Sequence, residues 1–411
     1  MLVKSEQRHK MILLMINMFI AIASFGIIIP ILPAYLESIG EGGTAAGLMI
    51  AIFAGAQLVM SPVAGKWTDQ YGRRYMIILG LGGLTLSMFV FYFFDSIWWL
   101  YASRVVGGVG AALLIPAIFA YVADITTIDE RAKGNSLVSA AMSLGFVVGP
   151  GIGGFLADFG LKMPILLSAI LSLVAVLFSI MLLKESQTEE AKELTAEQVS
   201  ESPLVKQLIQ SVKKPYFIPL VITLVMSFGL MAYESILGLF VDNQFGATPG
   251  QIAILLTSIG TISVIVQLFV VERLVRWLGE RTVLSLFLGV ASFGFLLSLF
   301  APSYGMFFAV TMFIFLATSI LRPVLTTLIS KLAGNEQGFA MGMNNAYMSI
   351  GNVLGPALAG VLFDVQITYP FILCLIVLAA TTFVSIFWQR KHDQNKPNTP
   401  IIEPAQPNPD V

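Results

Sequence analysis

Twelve stretches of this chain are each long and apolar enough to cross a lipid bilayer. A bilayer's hydrocarbon core is about 30 Å thick, so one helical crossing takes about 20 apolar residues. The runs lie at roughly 11–35, 45–66, 75–94, 97–123, 134–157, 164–183, 216–241, 250–271, 282–301, 304–330, 338–363 and 369–388. Lipid offers no partner for a free backbone polar group, so runs of this length predict helices. The expected class is an all-α integral membrane protein. Composition agrees: 11% of the 411 residues are charged, against about 25% in soluble domains. The first run is longer than the 7–15-residue core of a signal peptide, and no small-residue cleavage site follows it. It reads as a retained first span.

The connections are short except for 184–215, which holds eleven charged residues and separates six spans from six. The expected units are therefore a bundle at 1–183, a linker at 184–215, a second bundle at 216–390 and a tail at 391–411. In the linker, Leu204, Val205, Leu208, Ile209 and Val212 share one helical face, which suits an amphipathic helix lying on the inner leaflet. The tail has five prolines from Pro397 onward and reads as disordered. Lys and Arg set the orientation. With the N-terminus inside, 20 of the 23 fall on the cytoplasmic side and only Lys162 falls outside. Both termini are expected in the cytoplasm, with the protein in the cell membrane.

The chain repeats itself at a shift of 206 positions. Ala140, Gly145, Gly149, Pro150, Gly154, Leu156 and Asp158 reappear as Ala346, Gly351, Gly355, Pro356, Gly360, Leu362 and Asp364. Span five therefore repeats as span eleven, and two six-helix units in the same orientation are expected. Transporters built from parallel repeats place their site near the midplane, where the halves meet. Gly145, Gly149 and Gly153 stand four residues apart, which suits close helix packing in lipid, and Pro150 can bend the helix there.

On these residues the chain resembles the major facilitator superfamily over nearly its whole length. "GPGIGG" at 149–154, with Gly145, resembles the fifth-helix motif of drug:proton antiporters. "GKWTDQYGRR" at 65–74 resembles the superfamily's loop motif, and "SRVVGGVGAA" at 103–112 its fourth-helix motif with a buried arginine. "GIIIPILPAYL", "RPVLTT" and "AGNEQGFAMGMNN" are most similar to Gram-positive quinolone and multidrug efflux pumps (NorA- and Bmr-like). The resemblance implies the major facilitator fold and proton-coupled export of lipophilic, often cationic or zwitterionic compounds, hence a part in antibiotic resistance. It implies a gate built from Gly65, Asp69, Gly72, Arg73, Arg74 and Asp124, with Asp69 near the start of span eleven and Arg73 paired with Asp124. Such contacts would shut the cytoplasmic side. Relatives in this branch often carry an aspartate where this chain has Ser319.

Three ionisable residues fall deep inside spans: Arg104, Glu234 and Arg322. Each is costly there and so a functional candidate. Burial favours the neutral form of the Glu234 carboxyl, which could then hold either a proton or a cationic substrate. Arg104 would favour the charged form of a nearby carboxylate; Arg322 would do the same or bind backbone carbonyls. The expected substrate-binding residues are Phe25, Gln57, Phe146, Tyr233, Glu234, Ser349 and Asn352, in a largely apolar cavity.

Other classes fare worse. The lone Cys374 cannot form an internal disulfide, and the only histidines, His9 and His392, lie near the chain ends. No metal set, nucleophile–base pair or phosphate-binding loop appears, so neither an enzyme nor a bound cofactor is expected beyond the coupling proton. No basic patch suits nucleic acid. The expected partners are small lipophilic substrates, protons and the bilayer, with the chain working as a monomer. A dedicated exporter of one endogenous metabolite or glycolipid, on the same scaffold, is the alternative.

Overall fold

The computed structural model of the chain describes residues 5–187, 204–334 and 336–394, and every regular element among them is a helix. Twelve are of membrane-crossing length and composition: α1 (Gln7–Ser38), α2 (Gly43–Tyr71), α3 (Arg73–Phe93), α4 (Ile97–Ile125), α5 (Lys133–Ala157), α6 (Met163–Leu182), α7 (Phe217–Phe245), α8 (Pro249–Phe269), α9 (Glu280–Ser298), α10 (Tyr304–Ala333), α11 (Phe339–Val365) and α12 (Tyr369–Arg390). Each coincides with one expected run. α1 tightens into a 3-10 turn at Ile29–Ile31 before resuming at Leu32–Ser38. Pro30 lies within that turn and Pro33 just after it, and neither has an N–H to continue the α-helical ladder.

Helix pairing reproduces the sequence repeat. In the first half α1 packs on α5 and α6, α3 on α4 and α6, and α2 on α4. In the second half α7 packs on α11 and α12, α9 on α10 and α12, and α8 on α10. The halves touch through α2 on α11 and α5 on α8, the same pairing displaced by six helices. With twelve spans Ser5 and Gln394 lie at one end of the bundle, called here the termini end; the opposite is the far end.

The glycines of α5 and α11 explain why helix-weakening residues are concentrated there. A Cβ on Gly145 would stand 2.9 Å from the Phe19 carbonyl oxygen, and one on Gly149 2.9 Å from that of Ala23. Gly153 lies as tightly on Ile27. These three let α5 and α1 approach closely, where packing rather than hydrophobicity drives association. Pro150 adjoins Gly26 across the same seam. Gly351 and Gly355 repeat the arrangement against Leu224 and Phe228 of α7. Gly154 turns the other way, onto Pro249 and Ala253 of α8, just as Gly360 meets Gly43 and Gly47 of α2.

Those inter-half contacts all lie toward the far end. One continuous hydrophobic core runs there through both halves, from Ile28, Tyr35, Met49 and Phe91 to Tyr233, Leu256 and Phe363. Toward the termini end that core continues only within the second half, to Val283, Leu328 and Trp388, while separate cores lie around Leu14, Ile77 and Tyr121 in the first half and around Tyr216, Leu220 and Tyr347 in the second. α2 shows the change along its length: Ala45, Ala46, Met49, Ile50 and Ala51 are buried, whereas Val59 is 77% exposed. The molecule is closed at the far end and parted at the termini end. The contacts expected to shut the cytoplasmic side are not what joins the halves in this conformation.

Two short helices lie outside the spans. Leu204–Ser211 docks on the second half, and the face expected to be continuous divides. Leu204 and Leu208 pack against the core around Tyr216 and Tyr347, whereas Val205, Ile209 and Val212 stay exposed. Ser211 Oγ and Tyr347 Oη are 2.9 Å apart. The remainder of the expected linker at 188–203 and the tail from 395 lie outside the described residues. Val271–Leu278, between α8 and α9, has no buried residue and exposes Trp277 and Leu278.

Candidate functional site

Glu234 stands near the middle of α7, half-buried. Arg322, just before the helix-internal Pro323 of α10, lies close enough for the two charges to interact, without an ion pair within 4 Å. The Arg322 guanidinium borders a cavity of about 140 Å³ lined also by Thr223, Asn344, Asn345 and Met348. Its Nη2 is 3.3 Å from Met348 Sδ. The Thr223 hydroxyl donates to Asn344 Oδ1 at 3.1 Å. A guanidinium and two amides thus line this wall of the second half, with the Glu234 carboxylate within charge range of Arg322. Such a wall can hold a proton or a cation at Glu234 while Arg322 limits how much negative charge accumulates.

Tyr233 does not join that wall, which corrects the sequence expectation. One helical step turns it about 100° from Glu234, into the bundle. It is fully buried among Phe295, Phe315 and Phe371, and its hydroxyl lies 2.7 Å from Thr311 Oγ1. Arg104 is corrected likewise. It is 3% exposed, beside Ser103 Oγ (3.3 Å) and Ser87 Oγ (3.4 Å), and its guanidinium lies 4.9 Å from the Phe91 ring centroid. No carboxylate lies within ion-pair distance of it among the described residues, so it is paired with none in this conformation. Hydroxyls and a ring face take its charge instead.

The other expected lining residues divide by exposure. Phe146 is 45% exposed, and Phe25, Gln57, Ser349 and Asn352 are half-buried. Phe25 packs on Phe53 with ring centroids 5.2 Å apart. Ser319 donates to Phe315 O at 2.6 Å and contacts Ser263 Oγ at 2.7 Å, joining α10 to α8 with no charge.

A second polar constellation sits at the termini end of the first half. Arg73 Nη1 donates to Asp69 Oδ1 (2.7 Å) and Thr68 O (2.6 Å), and its Nε lies 3.3 Å from Asp124 Oδ2. Gly72 makes the α2–α3 turn at φ 100°, a conformation that favours glycine. The sequence reading missed Glu185. Its carboxylate accepts from the Arg73 and Arg74 N–H groups at 3.0 and 3.2 Å, capping the α3 N-terminus. A carboxylate just past span six, facing the orphan donors that open span three, was the available signal. Arg74 Nη2 donates to Ile180 O at 2.8 Å. Gly65 has open space where a side chain would go. All these partners belong to the first half or to the start of the linker that leaves it: Asp69 is held by Arg73 rather than by the start of α11, a correction that follows from the parted termini end.

Comparison with known proteins completes the description. The model of the Major Facilitator Superfamily matches residues 14–242 and again 219–407. Multidrug resistance protein 2 of Bacillus subtilis is 42% identical over 387 residues, covering 94% of this chain and 97% of that protein. Multidrug resistance protein 1 of the same organism is 40% identical, covering 92% and 95%. The quinolone resistance protein NorA of Staphylococcus aureus is 32% identical, covering 91% and 95%. Among solved structures, a bacterial homologue of the lysosomal transporter Spinster, inward-facing and unoccupied, superposes with a TM-score of 0.77 at 15% identity, over 95% of this chain and 98% of that one. The human organic anion transporter MFSD10 gives 0.66 at 20% identity, over 92% and 99%. At these identities the structural likeness concerns the fold.

Proposed function

Because this multi-pass membrane chain belongs to the major facilitator superfamily, we propose that it is a proton-coupled multidrug exporter working as a monomer in the cell membrane. Its substrates are lipophilic compounds, often cationic or zwitterionic, such as dyes and fluoroquinolones. Similarity to multidrug and quinolone resistance proteins over more than nine-tenths of the chain supports the substrate class. The observation that carries the mechanism is Glu234, a carboxylate mid-way along α7 with Arg322 near it and no ion pair.

With both termini in the cytoplasm, as the distribution of Lys and Arg favours, the far end faces outward. The mouth between the halves then opens to the cytoplasm. A drug enters there as Glu234 gives up its proton. The halves rock about the site, the drug leaves outward, and an external proton returns to Glu234. With Ser319 in place of a second carboxylate, one proton for one monovalent cation moves no net charge, so ΔpH alone drives the exchange. Each further proton would add about 2.3 kcal/mol per 100 mV.

The test is ethidium movement in inverted membrane vesicles under a proton gradient. Protonophore-sensitive uptake in the parent, lost in Glu234→Gln, is expected. Normal coupling in Glu234→Gln would place the proton site elsewhere, and no uptake of varied drugs by the parent would favour a dedicated metabolite exporter.

A further inference from the structure

Asp364, near the far end of α11, reaches into the other half of the molecule. Its Oδ1 accepts from the Gly43 N–H at 2.7 Å and its Oδ2 from the Thr44 N–H at 2.8 Å. These are the first two backbone donors of α2, which no preceding turn can satisfy. The positive end of a helix also favours a carboxylate. The surrounding seam is tight, with Gly47 against Pro356 and Gly360, and Gly43 against Phe363.

The repeat supplies an internal comparison. At a shift of 206, Asp364 corresponds to Asp158, Gly43 to Pro249, Thr44 to Gly250 and Gly47 to Ala253. Pro249 has no N–H to donate. Helix α8 is capped instead by its own Thr248 and Gln251 in a reciprocal pair, and Asp158 is exposed. The α5–α8 seam packs closely at Gly154 and Ala253, but Asp158 does not take up the role Asp364 has in the α2–α11 seam. Close packing is symmetric between the two seams; the charged contact is not.

We propose that Asp364 is the latch of the outer gate. Its carboxylate on the start of α2 holds the far end shut, and its release sets how often the transporter opens outward. The proposal rests on the alternating-access reading above and adds the group that biases the equilibrium between the two states.

The test uses the full chain in lipid nanodiscs without substrate or proton gradient. One variant set carries spin labels at Ser96→Cys and Pro302→Cys on far-end turns; another carries them at Lys133→Cys and Arg273→Cys toward the termini end. The fully buried Cys374 stays in place. In each set Asp364→Asn, Asp364→Ser and Asp158→Asn are compared with the parent, with monodispersity on size exclusion as the folding check. Both Asp364 variants should lengthen the far-end distance and shorten the termini-end one. The outward-to-inward population ratio should rise about tenfold, the scale of hydrogen bonds to a charged group. Asp158→Asn should match the parent. Parental distributions in a monodisperse Asp364 variant, or an equal shift in Asp158→Asn, would overturn the latch. Because the distances are read without transport, a protein that moves no drug in vesicles yet shows the shift would sink the export reading and leave the latch standing.

Discussion

Tyr233 and Glu234 are adjacent in α7 and occupy opposite environments: the phenol is sealed among Phe295, Phe315 and Phe371, while the carboxylate is half-buried within reach of the Arg322 charge. The two positions should therefore separate stability from coupling. Tyr233→Phe removes the hydroxyl paired with Thr311, which costs about 1–3 kcal/mol where a buried partner is left unsatisfied. A lower Tm with unchanged drug transport per folded molecule is expected. Glu234→Gln should do the reverse, keeping Tm and losing proton-driven uptake in vesicles. A Tyr233→Phe protein of normal Tm that fails to transport would return the phenol to the substrate path.

Glycine positions in this chain carry unequal structural demands. A methyl on Gly149 would press on the backbone of Ala23 in α1, so Gly149→Ala must push the two helices apart, at about 1–3 kcal/mol for overpacking. Gly65 has open space at the same place, and alanine there favours the helix. Thermal unfolding in detergent should rank Gly149→Ala below the parent and Gly65→Ala level with it or above. The opposite order would refute the packing account.

Glu185 caps α3 through two backbone donors at 3.0 and 3.2 Å. Removing a side-chain cap costs about 0.5–2 kcal/mol, and the carboxylate also complements the helix dipole. Glu185→Ala should lower Tm by that scale, and Glu185→Gln, which keeps an acceptor, should recover part of it. If both variants match the parent in Tm, the cap contributes nothing to stability.

The twelve spans and the twofold repeat were legible because the bilayer sets helix length, and because Gly149, Pro150 and Asp158 return as Gly355, Pro356 and Asp364. The rotation of each helix was not. A membrane helix is apolar toward lipid and toward its neighbours alike, so no polar–apolar alternation marks which face of α7 carries Tyr233, or that Arg104 points at Phe91. The closed end was equally hidden. Asp69 and Asp364 both lie near helix ends where a carboxylate can meet a dipole, and the choice between them depends on which way the halves have rocked. Glu185 escaped notice because its partners are backbone groups of Arg73 and Arg74, which leave no side-chain pattern.

The far end of the first half provides a pH test. Asp95, in the turn between α3 and α4, accepts from Lys162 Nζ at 2.6 Å and from the Tyr35 hydroxyl at 3.0 Å. The Lys162 hydrogen bond, helped by that of Tyr35 and by the ammonium charge, holds the carboxyl below its ordinary range against a smaller effect of burial. A carboxyl depressed in the folded state stabilises the fold above its unfolded pKa, about 3.9, and loses that contribution as pH falls through the folded value. Both Asp95 and Lys162 are partly solvent-exposed, so the contribution is under about 1 kcal/mol. The Tm gap between the parent and Asp95→Asn should accordingly stay constant from pH 8 to about 5 and narrow below about 4. Lys162→Met should abolish most of that gap at every pH. A gap that instead widens on acidification would mean that Asp95 is more easily protonated in the folded protein than in the unfolded chain, and that burial outweighs the lysine.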